Sequence, residues 1–228
     1  MLLVLPNAFI TAAFAVTATL SVSSALNMWS TFHACRSTPP ESLSVSFATA
    51  AEALQQLQQC SRKESLSLFL QAARVPLIPE IEGAWDGVLL ENNGWIMTEV
   101  SQFLTHKLFS KGRRWNGKAF QDDQNRGINQ FTTKTSTTEF DHAFDYQIET
   151  SALRKDQKSL VLRYNNYQKI RSGGWTSLLW MSMVDEIRLI DCANGECVLI
   201  GIGSMGWSGG MYNGSPFCLH RPFNTLSH

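Results

Sequence analysis

Residues 184–205 read VDEIRLIDCANGECVLIGIGSM, two alternating apolar runs on either side of Asn194-Gly195. Asn-Gly is the strongest two-residue signal for a β-hairpin, because both central positions of a type I′ turn need positive φ. A two-residue turn there sets Cys192 opposite Cys197. It then pairs Asp191 with Val198, Ile190 with Leu199, Leu189 with Ile200, Arg188 with Gly201, Ile187 with Ile202 and Glu186 with Gly203. On this register Glu186 and Arg188 each lie across a glycine. They either pair with one another or leave Arg188 as a positive arm for an anionic or carbonyl ligand end. Cys192 and Cys197 read either as a cross-strand disulfide or as two small half-buried thiols.

The same texture of short alternating segments broken by Gly, Asn and Ser runs outward from this hairpin in both directions. Strands are predicted over 81–91, 114–121, 127–135, 141–150, 158–165, 175–182, 184–192, 197–205 and 215–221. Eight or nine strands joined by short turns favour a closed antiparallel barrel, since closure removes exposed edges. Between the first two strands Met97, Val100, Phe103, Leu104, Lys107 and Leu108 recur at helical spacing, with Gly112 placed as a stop. Upstream, Leu43, Phe47, Ala50, Leu54 and Leu57 predict an amphipathic helix. Leu66, Phe69, Leu70 and Ala73 predict a second one, opened by the capping box Ser61-Arg-Lys-Glu64. The pair is expected to pack on the outside or the mouth of the barrel.

Residues 1–35 hold no Asp, Glu, Lys or Arg, and an apolar run over 8–26 is followed by small Ser23 and Ala25. The segment reads as a secretory signal or membrane anchor, or alternatively as a buried N-terminal helix. The domain division is therefore 1–36 for the signal or anchor, 37–76 for the helical pair and 77–228 for the barrel. The expected location is the secretory pathway or an organelle, membrane-associated through residues 1–30 or secreted.

Hydrophobic residues form 44% of the 228, with thirteen Phe and seven Trp, enough for a sizeable core. Nineteen basic and nineteen acidic residues cancel, and the only basic cluster is the short KGRR at 111–114. Counterion release needs a larger stripe of positive charge, so nucleic acid is not expected as a partner. The five cysteines lack metal-ligand spacing, and no dinucleotide loop follows a βαβ pattern, so neither metal nor cofactor is expected. Gly206-Trp-Ser208-Gly-Gly210 matches GxSxG in letters, but the turn-forming MYNGSPF that follows cannot open the helix a nucleophile elbow needs.

Alternation assigns faces within strands. In DHAFDYQIET, residues 141–150, His142, Phe144, Tyr146 and Ile148 share one face and the acidic residues take the other. Leu160, Leu162 and Tyr164 line one side of the next strand. A barrel interior of this kind with a few polar tips is either packed core or an apolar-ligand pocket. The candidate ligand-binding residues are Trp115, Phe144, Ile148, Leu160 and Leu162. Should the barrel be catalytic, His142, Tyr146 and Tyr164 are the acid/base candidates, with Arg188 as electrostatic stabiliser.

GAWDG at 83–87 and RRWNGKAF at 113–120 together resemble the GxWxG-motif family of small β-rich proteins. VDEIRLID, VLIGIGSM and PFCLHR are similar to that family's companion domain, through Asp185, Arg188, Leu199 or Ile200, and Gly201. The resemblance covers about half the chain and implies shape more than reaction. Gly83-x-Trp85 after a helix also looks like the opening strand of lipocalins, whose Trp closes one end of the barrel under an arginine. That resemblance gives Gly83, Trp85 and Gly87 a structural role and offers Arg188 or Arg221 as the arginine.

The fold expected is thus mainly β, a lipocalin-like antiparallel barrel of eight to nine strands preceded by two amphipathic helices and an apolar N-terminal segment. The leading functional expectation is binding of a lipophilic small molecule. An isomerase, cyclase or lyase acting by acid/base catalysis on a hydrophobic substrate is the alternative, and a membrane-anchored structural or assembly subunit the second.

Overall fold

A computed structural model describes residues 7–37, 46–71, 73–108, 110, 112–121, 124–167 and 180–223. Its β-strands pair strictly in chain order: β1 (Gly83–Leu89), β2 (Arg114–Gln121), β3 (Arg126–Thr132), β4 (Thr138–Thr150), β5 (Lys158–Arg163), β6 (Met183–Asp191), β7 (Cys197–Met205) and β8 (Ser215–His220). β8 returns to β1, closing an eight-strand antiparallel barrel. The ninth expected strand, 175–182, falls largely outside the described residues.

The defining hairpin is present, but its register is one residue off the two-residue turn. Asp191 pairs with Cys197, Leu189 with Leu199, Arg188 with Ile200, Ile187 with Gly201, Glu186 with Ile202 and Asp185 with Gly203. The loop is three residues long, with Gly195 as a left-handed bulge at φ 84° and Cys192 accepting from Gly195 N–H. The chain entering the helical pair stabilises this form, because the N–H groups of Ala193 and Asn194 donate to the carbonyls of Phe47 and Ala48. A one-residue slip exchanges the partners of every side chain. Cys192 turns to the outer wall and Cys197 inward, and both are free thiols.

Five α-helices accompany the strands among the described residues: α1 (Asn7–Ser37), α2 (Ala50–Gln59), α3 (Arg62–Gln71), α4 (Ile78–Ile81) and α5 (Trp95–Phe103), the last continuing into a π-helical turn, Leu104–Leu108. α2 starts later than its apolar spacing predicts. Phe47 is in an isolated parallel bridge with Cys192, and Thr49 caps the helix by accepting from Glu52 N–H at 3.1 Å. The Ser61–Glu64 capping box forms as expected. α2 and α3 bury Ala53, Leu57, Leu66 and Phe69 against the outward faces of Val198, Ile200 and Cys218. The helical pair thus covers the outer wall. Arg62, at 2% exposure, ties three elements together by donating to Ser30 Oγ on α1 and to the Gly214 carbonyl before β8. In α1, Asn27 and Thr31 are buried while Val22, Leu26 and Trp29 are exposed. Among the described residues no helix is long and apolar enough to cross a membrane.

Inside the barrel, large rings lie over glycines. A Cβ on Gly87, Gly127 or Gly201 would collide with the ring of Trp115, Phe144 or Phe217 respectively. One end is closed by GAWDG. Trp85 is fully buried, its indole N–H donates to the Ile81 carbonyl at 2.7 Å, and Arg221 lies 4.1 Å over its ring. The Arg221 guanidinium also donates to the carbonyls of Glu80 and Glu82, fixing α4 under the barrel.

Removing the plug should destabilise the whole barrel. Trp85→Ala is expected to cost about 3–5 kcal/mol in urea unfolding, and Arg221→Ala about 1–2 kcal/mol. An alkaline effect follows from Cys218, whose thiol burial pushes up to about 12 from 9.0. The folded protein keeps this proton where the unfolded chain releases it. The contribution is therefore full below the ordinary thiol value and lost as pH rises toward about 12. Urea titrations from about pH 8 to about pH 11 should show a shallower decline of stability with pH for Cys218→Ala than for the native chain.

Candidate functional site

Two bulges decide what faces the interior at the barrel's other end. In β2 the register shifts between Trp115 and Gly117. Gly117 has φ 145°, and a Cβ there would collide with the Trp85 carbonyl oxygen, so glycine alone fits. The shift changes the phase of the strand. Trp115 and Lys118, three residues apart, consequently both point inward and are buried. In β4 the register shifts opposite Ile128 and Asn129, making His142 the extra residue, with φ 55°. Asp141 holds this bulge by accepting from His142 N–H at 2.8 Å and from Arg113 at 2.8 Å.

Lys118 is the unexpected group. Its ammonium lies 5.2–5.7 Å from the ring centroids of Phe144, Tyr164, Phe217 and Trp115. It forms an ion pair with Asp185 Oδ2 at 2.8 Å and donates to Asn129 Oδ1 at 2.9 Å and to the Tyr164 hydroxyl at 2.5 Å. Tyr164 in turn donates to Asp185 Oδ2 at 2.7 Å, and the Trp115 indole N–H donates to Asn129 Oδ1 at 3.1 Å. Burial lowers the Lys118 ammonium pKa, and attraction to Asp185 offsets part of that. Burial and the neighbouring Asp185 raise the Tyr164 phenol well above its ordinary value, so it remains a donor.

Above this network lies a cavity of about 360 Å³ at the open end of the barrel. Lys118, Asp185 and Asn129 form its polar floor, while Trp115, Trp180 and Phe217 contribute aromatic wall. α5 and the π-helical turn cover the mouth with Met97, Val100, Ser101 and Leu104. The turn is anchored by His106, whose Nδ1 accepts from Trp115 N–H at 3.2 Å. Burial lowers the pKa of that imidazole, in keeping with an unprotonated acceptor. The outer side of α5 leaves Trp95, Ile96 and Phe103 exposed.

The residues singled out from sequence separate by their place in the barrel. Tyr164 belongs to the buried network and Trp115 to both network and cavity. His142 stands beside them, stacked on Trp180 at 4.2 Å, while Tyr164 meets the same indole at 5.3 Å. Phe144, Leu160 and Leu162 are packed core beneath the cavity. Tyr146 lies toward the closed end, its hydroxyl donating to the Gln121 carbonyl at 2.8 Å. Two residues are not in the interior. Ile148, near the end of β4, is 41% exposed. Arg188 faces outward under α3, where it donates to Ser159 Oγ, Gln157 Oε1 and the Phe69 carbonyl. It follows Ile187 on a strand whose odd-numbered residues fill the barrel, which is why the interior charge is Asp185. Gly83, Trp85 and Gly87 build the closed end and its wall.

Lys118 and Asn129 escaped sequence reasoning, and Asp185 entered it only as a motif position of the resembled family. Signals existed: Lys118 stands in WNGKAF, and Asp185 shares the face of Ile187 and Leu189.

No protein-family model matches the chain, and no curated protein matches it. Among solved structures, the crystal structure of a protein from Thermomonospora curvata is similar over 75% of this chain and 94% of that one, at 16% sequence identity and a TM-score of 0.49.

Breaking the buried pair from one side leaves an uncompensated charge. Lys118→Met is expected to cost about 3–5 kcal/mol, whereas Lys118→Met combined with Asp185→Leu should recover most of that loss. Urea unfolding of the two single variants and the double variant measures the coupling.

Proposed function

We propose that the barrel binds a lipophilic small molecule at its open end. The observation that carries this reading is the cavity of about 360 Å³, walled by aromatic and aliphatic side chains with a few convergent polar groups on its floor. The closed end supports a lipocalin-like reading. Trp85 beneath Arg221 seals the barrel there, so a ligand enters from the α5 side. GAWDG and WNGKAF support membership of the GxWxG-motif family, since the first builds the plug and the second carries both the Gly117 bulge and Lys118.

A second reading is acid/base catalysis on a hydrophobic substrate in the same cavity. The hydrogen-bonded chain Lys118–Tyr164–Asp185 directly below the apolar wall favours it. Tyr146 and Arg188 have no part in that version, because one lies at the closed end and the other outside the barrel.

Mass spectrometry of apolar compounds copurifying with the full chain tests the reading. Filling the mouth with Met97→Trp should lower retention of the compound by about ten-fold, equivalent to about 1.4 kcal/mol. An unchanged yield in that variant, or no copurifying or added lipophile, would count against binding at this end. Turnover of a bound compound that disappears in Tyr164→Phe with affinity intact would favour catalysis.

A further inference from the structure

The hydrogen-bonding capacity of the cavity floor is almost used up, and among the described residues its one buried side-chain atom without any partner is an acceptor. The three ammonium protons of Lys118 go to Asp185 Oδ2, Asn129 Oδ1 and the Tyr164 hydroxyl. Asn129 Oδ1 accepts a second bond from Trp115, and its amide nitrogen donates to the His142 carbonyl at 3.0 Å. The Tyr164 proton goes to Asp185 Oδ2. Asp185 Oδ1 is buried without a hydrogen-bond partner, on a residue 2% exposed that lines the cavity. The other buried, unpartnered side-chain atom bordering the cavity among the described residues is also an acceptor, Asn213 Oδ1.

We propose that Asp185 Oδ1 is the specificity-determining contact of the cavity, and that its ligand is a lipophilic alcohol or phenol whose hydroxyl donates to that oxygen. The inference rests on the lipophile-binding reading above and names the ligand class. A carboxylic acid brings negative charge against a carboxylate whose cation is already engaged on its other oxygen. A ketone or an ether has no proton to give. An amine would place a second ammonium beside that of Lys118, and like charges sharing one low-dielectric site disfavour each other. A neutral hydroxyl satisfies Oδ1 without disturbing the ion pair, and charge-assisted bonds of this kind are the stronger class.

Gly203 provides a local test. It pairs with Asp185 across β6 and β7, its backbone is not in the left-handed region, and a Cβ there would stand 3.1 Å from Asp185 Oδ1. Gly203→Ala therefore crowds the acceptor and leaves both charges in place.

The experiment is displacement of Nile red from the full-length chain by decanol, decyl methyl ether, decanoic acid and decylamine at neutral pH, with the native protein and Gly203→Ala. Decanol is expected to displace the dye at a concentration roughly ten- to hundred-fold lower than the other three. In Gly203→Ala the alcohol-to-ether ratio should fall toward one, with the ether changed by no more than about three-fold. Equal displacement by ether and alcohol, or a preference for acid or amine, overturns the assignment on the native protein alone. A ratio unchanged in Gly203→Ala, with circular dichroism showing the variant folded, overturns it as well. If neither the dye nor any of the four compounds binds, the lipophile-binding reading itself fails.

Discussion

An ammonium group carried into a barrel lined by aromatic rings needs a carboxylate to meet it, and much of the open half of this barrel is arranged around that meeting. Four rings surround Lys118, and among the described residues only Asp185 neutralises it. Ring faces attract a cation weakly compared with the cost of removing it from water. The ion pair and its neutral helpers, Asn129 and Tyr164, supply the remainder. Dry pairs of this kind are weak contributors to net stability. They are strong constraints on geometry, because each partner alone is far worse than the two together.

The backbone accommodates this pair through the Gly117 bulge. Without the phase change in β2, either Trp115 or Lys118 would face outward, and the cavity would lose its wall or its floor. The same residue meets the Trp85 carbonyl across β1, so the plug of the closed end and the network of the open end share one close backbone approach. Gly87 continues the coupling, since the Trp115 ring occupies the space its missing side chain leaves. One end is sealed by an indole under a guanidinium, while the other keeps its rings apart around a polar floor.

How much of this was legible depends on whether the determining physics was local. The barrel was legible, because period-2 alternation and turn chemistry recur along the strands and closure is the economical answer to many short edges. The plug was legible through the lipocalin resemblance, which gave Gly83, Trp85 and Gly87 a structural role and offered Arg188 or Arg221 as the arginine; Arg221 takes that place. The helical pair came from its 3.6-residue stripe, although α2 began late because Phe47 bonded to the hairpin turn. The hairpin register was misread for the same reason. Asn194-Gly195 accepts either a two-residue or a three-residue loop, and the choice was made by Phe47 and Ala48, nearly 150 residues away in the chain.

The candidate site was only half legible. Tyr164 and Trp115 were visible as polar-tipped aromatics on apolar faces, and His142 was placed correctly inside. Lys118 was hidden because strict alternation puts it opposite Trp115, and only a bulge brings both in. The sequence by itself determined the succession of strands and the apolar lining, since those depend on residue type and periodicity within each segment. Tertiary structure alone decided that Arg188 lies outside and Asp185 inside beside Lys118, and that one carboxylate oxygen of this cavity-lining residue is buried without a partner. Those outcomes depend on one-residue shifts of register between strands, which are settled by contacts from distant parts of the chain.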